Sequence, residues 1–183
     1  MNWIIPGTTL EGLRSDAERT DGLFQSMFLA GGLTLSQVSS ITGLETHTIQ
    51  NWVKRGYLPP PKNKRYDMEQ VCRIINMNML KGSLSLEQVC GLMTYINGSL
   101  SDESDDIIDD TVLYFMFVRL AARARHMDSV EDWNEALAEV MLAYEEPFPG
   151  AKEKIVSVLR IMITAWIAAR MRQEAERMYA ELI

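Results

Sequence analysis

Residues 33 to 66 read LTLSQVSSITGLETHTIQNWVKRGYLPPPKNKRY, and the order of signals along them decides the fold. Thr34 and Gln37 form a T-x-x-Q capping box, which satisfies orphan N–H groups at a helix start, and Leu35, Val38 and Ile41 then recur at helical spacing. Gly43 stops that helix where a tight turn needs a permissive backbone. A second helix over 46–55 carries Ile49, Trp52 and Val53 as its apolar side, with Trp52 placed in the core beside Ile49. Its other side presents His47, Thr48, Gln50, Asn51 and Lys54, groups able to hydrogen-bond base edges and phosphates in a major groove. A proline-stiffened basic loop follows, with Lys62, Lys64, Arg65 and Tyr66 at its end. Helix, glycine turn, helix and basic loop together describe a DNA-reading winged helix–turn–helix.

Gly43 and Gly56 lie thirteen positions apart, Gly56 opens G-Y-L-P-P-P, and Lys64, Arg65 and Tyr66 stand where a wing belongs. These features resemble the DNA-binding domain of MerR-type transcription regulators. The resemblance continues through Lys81, Gly82, Ser83, Leu84, Ser85, Leu86 and Glu87, similar to that family's turn between its third and fourth helices, and so spans residues 33–96. It implies a sequence-specific DNA-binding regulator acting on a bent or untwisted operator. His47, Thr48, Gln50 and Asn51 would meet base edges, and Lys54, Arg55, Lys62, Lys64, Arg65 and Tyr66 would meet phosphate. The family's R-T-L-R-Y-Y pattern is replaced here by His47, Thr48, Ile49, Gln50, Asn51 and Trp52, so its operator sequence does not carry over. Nor does metal sensing, because Cys72 and Cys90 both lie within the DNA-binding half.

A net charge of −7 argues against a nucleic-acid partner until it is divided along the chain. Residues 33–98 hold seven Lys or Arg against four acids, giving +3, whereas residues 99–183 hold nine against seventeen, giving −8. Five of the seven bases fall between Lys54 and Arg65. A basic module joined to an acidic one fits a domain that meets phosphates carried by one that does not.

The remaining sequence reads as helices. Residues 1–32 form an N-terminal helical extension with Leu23, Phe24, Met27 and Phe28 as its apolar stripe. After the wing, Asp67 with Gln70 caps a third helix, whose inner face is Met68, Val71, Cys72, Ile75 and Met79. Ser85 with Gln88 caps a fourth. Residues 99–110 read as an acidic linker before a helical domain over 111–183 of about three helices. The fold class is therefore mostly α: a MerR-like winged helix–turn–helix over 33–98 followed by a C-terminal helical domain. Asp102, Glu103, Asp105, Asp106, Asp109 and Asp110 lack the spacing and turn glycine of a calcium loop and read as a solvated helix start, so no metal site is expected. The apolar run 155–169 is too short to span a membrane, contains Arg160, and reads as a buried or interface helix.

Two cysteines give no disulfide framework, and the N-terminus has no signal-peptide pattern; a reducing cytoplasm is the expected setting. Neither a glycine-rich phosphate loop nor G-x-S-x-G is present, and the two histidines, His47 and His126, stand on different helices. No enzyme activity and no cofactor are expected. The expected partners are double-stranded DNA and a second copy of the chain, with no membrane. Dimerisation is assigned to the last helix through Ile155, Leu159, Met162, Trp166 and Ala169, extended by Val158, Ile161 and Ala165. Methionines and aromatics in the helical half would also suit an unidentified small-molecule effector, or serve as plain core. The competing reading is a protein-interaction module that keeps the winged helix without binding DNA.

Overall fold

The computed structural model describes residues 2–98, 100, 106–124 and 129–182. It is mostly helical with two small antiparallel sheets. Strands β1 (Asn2–Ile4) and β2 (Glu11–Leu13) form a hairpin, followed by a 3-10 helix over Arg14–Arg19 and by α1 (Thr20–Phe28). The N-terminal segment thus holds short helices, as expected, but opens with a hairpin that the sequence did not announce. Trp3 and Ile5 are buried, and the loop after β1 is held against the body by three elements. The Tyr114 hydroxyl donates to Pro6 O at 2.9 Å, Asn78 Nδ2 to Gly7 O at 3.2 Å, and the Thr9 hydroxyl to Ser40 O at 2.7 Å. Gly7 has φ +73°, and a Cβ there would lie 2.7 Å from Ile75 Cγ2, so only glycine permits this approach. From α1, Phe24 reaches the rings of Tyr114 and Phe115 at 5.5 and 5.4 Å.

Strand β3 (Leu33–Thr34) leads directly into α2 (Leu35–Thr42), and α3 (Thr46–Lys54) follows. The Thr34–Gln37 capping box is present, and Gly43 is left-handed at φ +68°. Strand β4 (Arg65–Tyr66) returns to pair with β3, matching Leu33 with Tyr66 and Thr34 with Arg65. Then come α4 (Met68–Leu80) and α5 (Leu86–Asn97), each opened by its expected capping box. Helices α6 (Asp110–Arg123), α7 (Val130–Val140) and α8 (Ala151–Ala180) complete the chain.

Helix α4 sits at the centre: residues 70–77, Met79 and Leu80 are all buried, with α2, α5, α6 and α8 packed around it. A single hydrophobic core runs from Trp3 through α2, α3 and α4 to Trp166. The acidic stretch expected to divide two domains does not separate two cores. Residues 101–105, with Asp102, Glu103 and Asp105, lie outside the described residues, but Ile107 and Ile108 are buried and Asn97 Nδ2 donates to Ile108 O at 2.6 Å. Asp109 is an exposed cap accepting from Thr111 N and Val112 N, whereas Asp110 is buried, only 3% exposed, and not part of a solvated helix start. Its carboxylate is buried and accepts from Arg73 Nη1 at 2.8 Å.

The assignment of the last helix is corrected in the same way. Ile155, Val158, Leu159, Met162, Ala165, Trp166 and Ala169 are all buried within the monomer, and only Ile161 of the expected dimer stripe is exposed, at 43%. Helices α4, α5 and α6 cover that face. Phe117 meets Trp166 edge-on at 5.9 Å, and the Ser83 hydroxyl donates to Ala165 O at 2.7 Å. No helix among the described residues is long and apolar enough to cross a membrane.

Candidate functional site

Helix α3 is sharply two-sided. Ile49 and Trp52 are 0% and 4% exposed and fix the helix on the core, so its other residues face outward. His47, Gln50, Asn51 and Lys54 are exposed and Thr48 is half-buried. Lys54 and Arg55 stand at the C-terminal end, where cations favour the helix dipole, and the Arg55 guanidinium lies 4.8 Å from the centre of the Tyr57 ring.

The basic loop closes with a two-residue turn. Arg65 N donates to Lys62 O at 2.9 Å, and the two intervening residues, Asn63 and Lys64, are both left-handed at φ +51° and +61°. Two consecutive left-handed residues define the hairpin turn whose twist matches the flanking strands. Lys62, Lys64 and Arg65 are therefore exposed together at its tip, while Gln70 Nε2 holds the base of the loop through Pro59 O and Pro60 O at 3.2 and 3.0 Å. Arg65 Nη1 donates to Gly32 O at 2.7 Å, which orients the guanidinium and leaves its other donors.

Tyr66 requires a correction. It is 2% exposed, because the alternation of β4 turns Arg65 outward and Tyr66 inward, and burial pushes its phenol above the ordinary value. Its side chain belongs to the core and not to a phosphate contact. Of the remaining nine candidates, none is buried. Sequence reasoning could not place Tyr66, because its strand partner Leu33 lies 33 residues away.

The cations at the end of α3 and on the loop have no acid beside them among the described residues, as several others elsewhere in the chain do not. Among the described residues, no carboxylate lies within ion-pair distance of Lys54, Arg55, Lys62, Lys64 or Arg65, whereas Arg73, Arg119, Arg123, Arg172 and Arg177 are each paired with an acid. Behind the loop, a cleft of about 310 Å³ is floored by Gln70, Arg73 and Asp110. Burial holds the Asp110 carboxyl above its ordinary value, and the Arg73 guanidinium offsets only part of that rise. Arg73 also donates from Nε to Tyr57 O at 3.3 Å, so one guanidinium ties the backbone after α3 to the start of α6.

The two cysteines take no part in such a site. Burial pushes the Cys72 thiol far above its ordinary value and raises Cys90 as well, and neither is cross-linked. No group of three or more His, Cys, Asp or Glu able to hold a metal exists among the described residues. His126 lies outside them.

Residues 31–117 match the model of a protein family. The match is to a domain of unknown function, DUF1836. It begins just before β3 and ends within α6, so the matched unit takes in the first part of the helix that packs on α4. The uncharacterized protein YkrK of Bacillus subtilis (strain 168) is 23% identical over 161 residues, which cover 81% of this chain and 69% of that protein. No solved structure matches the chain.

Proposed function

We propose that the chain is a sequence-specific, DNA-binding transcription regulator, built on a winged helix–turn–helix similar to that of MerR-type regulators and acting as a homodimer in a reducing cytoplasm. In this reading α2 and α3 are the helix–turn–helix, α3 enters the major groove, and the 62–65 turn is the wing. The observation that carries it is the set of five exposed cations between Lys54 and Arg65 without carboxylate partners, beside the outward hydrogen-bonding groups of α3. Cations left unpaired on one stretch of a net acidic protein suit a polyanion, and release of its counterions would drive association. His47, Thr48, Gln50 and Asn51 would read bases; Lys54, Arg55, Lys62, Lys64 and Arg65 would hold phosphates. Two neutral, unlinked thiols suit a reducing compartment.

Glu45 favours the competing reading of a protein-interaction module, since this exposed acid opens α3 beside His47 and would face phosphate. Selection of bound sequences from random duplex DNA separates the two. The regulator reading expects enrichment of one motif, arranged as two half-sites. Failure to enrich any duplex would overturn it and leave the interaction module.

A further inference from the structure

At the C-terminal end of α4, an open groove of about 1060 Å³ runs between that helix, the end of α2, the loop after β1 and the second half of α8. One wall, Ile4 to Thr8, precedes both the winged helix and the matched residues 31–117. The walls are tied to one another. Asn78 Nδ2, which holds Gly7 O, also donates to Thr42 O at 2.9 Å, and Gly82 packs so closely on α8 that a Cβ there would stand 3.1 Å from the Ala169 Cβ. That contact brings the neighbouring residues Lys81 and Arg170 to one stretch of the groove. Among the described residues no carboxylate pairs with either, whereas Arg172 is held by Glu176, and Arg177 by Glu174 and Glu181. Glu174, the one carboxylate lining the groove among the described residues, is thus already engaged. Lys81 and Arg170 rest instead on aromatic faces, Lys81 Nζ 5.9 Å from the centre of the Trp52 ring and the Arg170 guanidinium 4.8 Å from that of Trp166. Burial pulls the Lys81 ammonium below its ordinary value. The end of α4 favours a cation at this place but supplies no full counter-charge.

We propose that this groove binds a small amphiphilic anion, with a carboxylate or phosphate head between Lys81 and Arg170 and an apolar body along Ile4, Met79 and Met171. The two uncompensated cations select the sign of the head, since an anion there gains charge-assisted hydrogen bonds without breaking an existing ion pair. Arg170 offers a planar fork to two oxygens of one head, and Lys81 a point charge. The walls select the body. Ile4 and Met171 expose apolar side chains along the groove, a surface that a bare ion would leave wet. The volume is at the upper end of small-ligand clefts, about 300–1,000 Å³, so an extended body fits it where a lone anion does not. Occupancy reaches the proposed reading head from behind. Thr42 ends α2, and Trp52, beneath Lys81, is an inward anchor of α3, so an anion that draws Lys81 off that ring changes what α3 rests on and with it the affinity for duplex. This last step rests on the regulator reading; binding of the anion does not.

The test is calorimetric titration of the full-length chain, without DNA, with octyl phosphate, octanoate, octyltrimethylammonium and inorganic phosphate. One or both anionic amphiphiles should bind saturably, one per chain, and which of the two binds more tightly identifies the head. The cationic amphiphile should not bind, and inorganic phosphate should bind more weakly by on the order of tenfold or more. Lys81→Ala combined with Arg170→Ala should weaken the anion on the order of a hundredfold. Ile4→Glu, on the wall before the winged helix, should weaken it on the order of tenfold by setting like charge beside the ligand. All three side chains are exposed, so helical circular dichroism should be unchanged. Absence of saturable binding, equal binding of the cationic amphiphile, or full affinity in the double variant overturns the site. Full affinity in Ile4→Glu overturns the course of the apolar body. An anion that binds but leaves duplex affinity unchanged overturns the coupling to α3. A chain that binds the anion and selects no duplex removes the regulator and leaves the groove standing, so the two readings fail separately.

Discussion

Lys64 holds a left-handed backbone, a conformation that costs a residue bearing a side chain about 1–2 kcal/mol. Its neighbour Asn63 shares that conformation, but asparagine tolerates it. In the proposed reading, the charge of this cation at the wing tip outweighs the stability its backbone forgoes. Lys64→Gly should therefore stabilise the fold by about 1 kcal/mol, read from the urea midpoint, while weakening duplex affinity. A variant that lost both would place Lys64 in the fold and not in the interface. On α3 the two kinds of contact should part company. Gln50→Ala is expected to relax preference at particular base pairs by about 1–3 kcal/mol, whereas Lys54→Ala weakens all sequences alike, as binding titrations on single-base operator variants would report. At this scale the sequence was a good guide wherever the cause was local: Trp52 is buried because it shares a stripe with Ile49, both on one short helix. It failed at Tyr66, whose inward direction is set by pairing with a distant strand.

Among the elements, the boxes Thr34–Gln37, Asp67–Gln70 and Ser85–Gln88 each open the helix they announced, because a cap is made within four residues. The faces of α8 were not legible in the same way. Two apolar stripes run along that helix, and which one turns inward depends on α4, α5 and α6, which no periodicity within α8 encodes. The first hairpin escaped for a related reason: its strands are three residues each, too short for alternation to register. The contact between α4 and α6 yields a prediction of its own. Asp110→Ala would leave the Arg73 guanidinium buried without its carboxylate, at a cost of about 3–5 kcal/mol in denaturant unfolding. Replacing both, as Arg73→Met with Asp110→Leu, should recover most of that loss. If the single change were as mild as the double, the pair would not be bearing on stability.

For the whole molecule, composition over 99–110 suggested a linker between two domains, because Ser and Asp dominate there. The chain instead folds back, with Ile107 N donating to Ile96 O at 3.2 Å and the Tyr144 hydroxyl to Ile107 O at 2.6 Å. A chain ending at Gly98 would expose the faces of α4 that α6 and α8 cover. It should lack the cooperative near-ultraviolet circular dichroism transition of the full chain. A truncated chain that unfolded cooperatively would restore two independent domains. The central helix has a further consequence for how such a protein can change. With ten of its thirteen residues buried, α4 has no vacant side on which a new specificity could be written. In the proposed reading, retargeting is written on α3 and the 62–65 turn, whose outward residues can be exchanged without disturbing the hub beneath them.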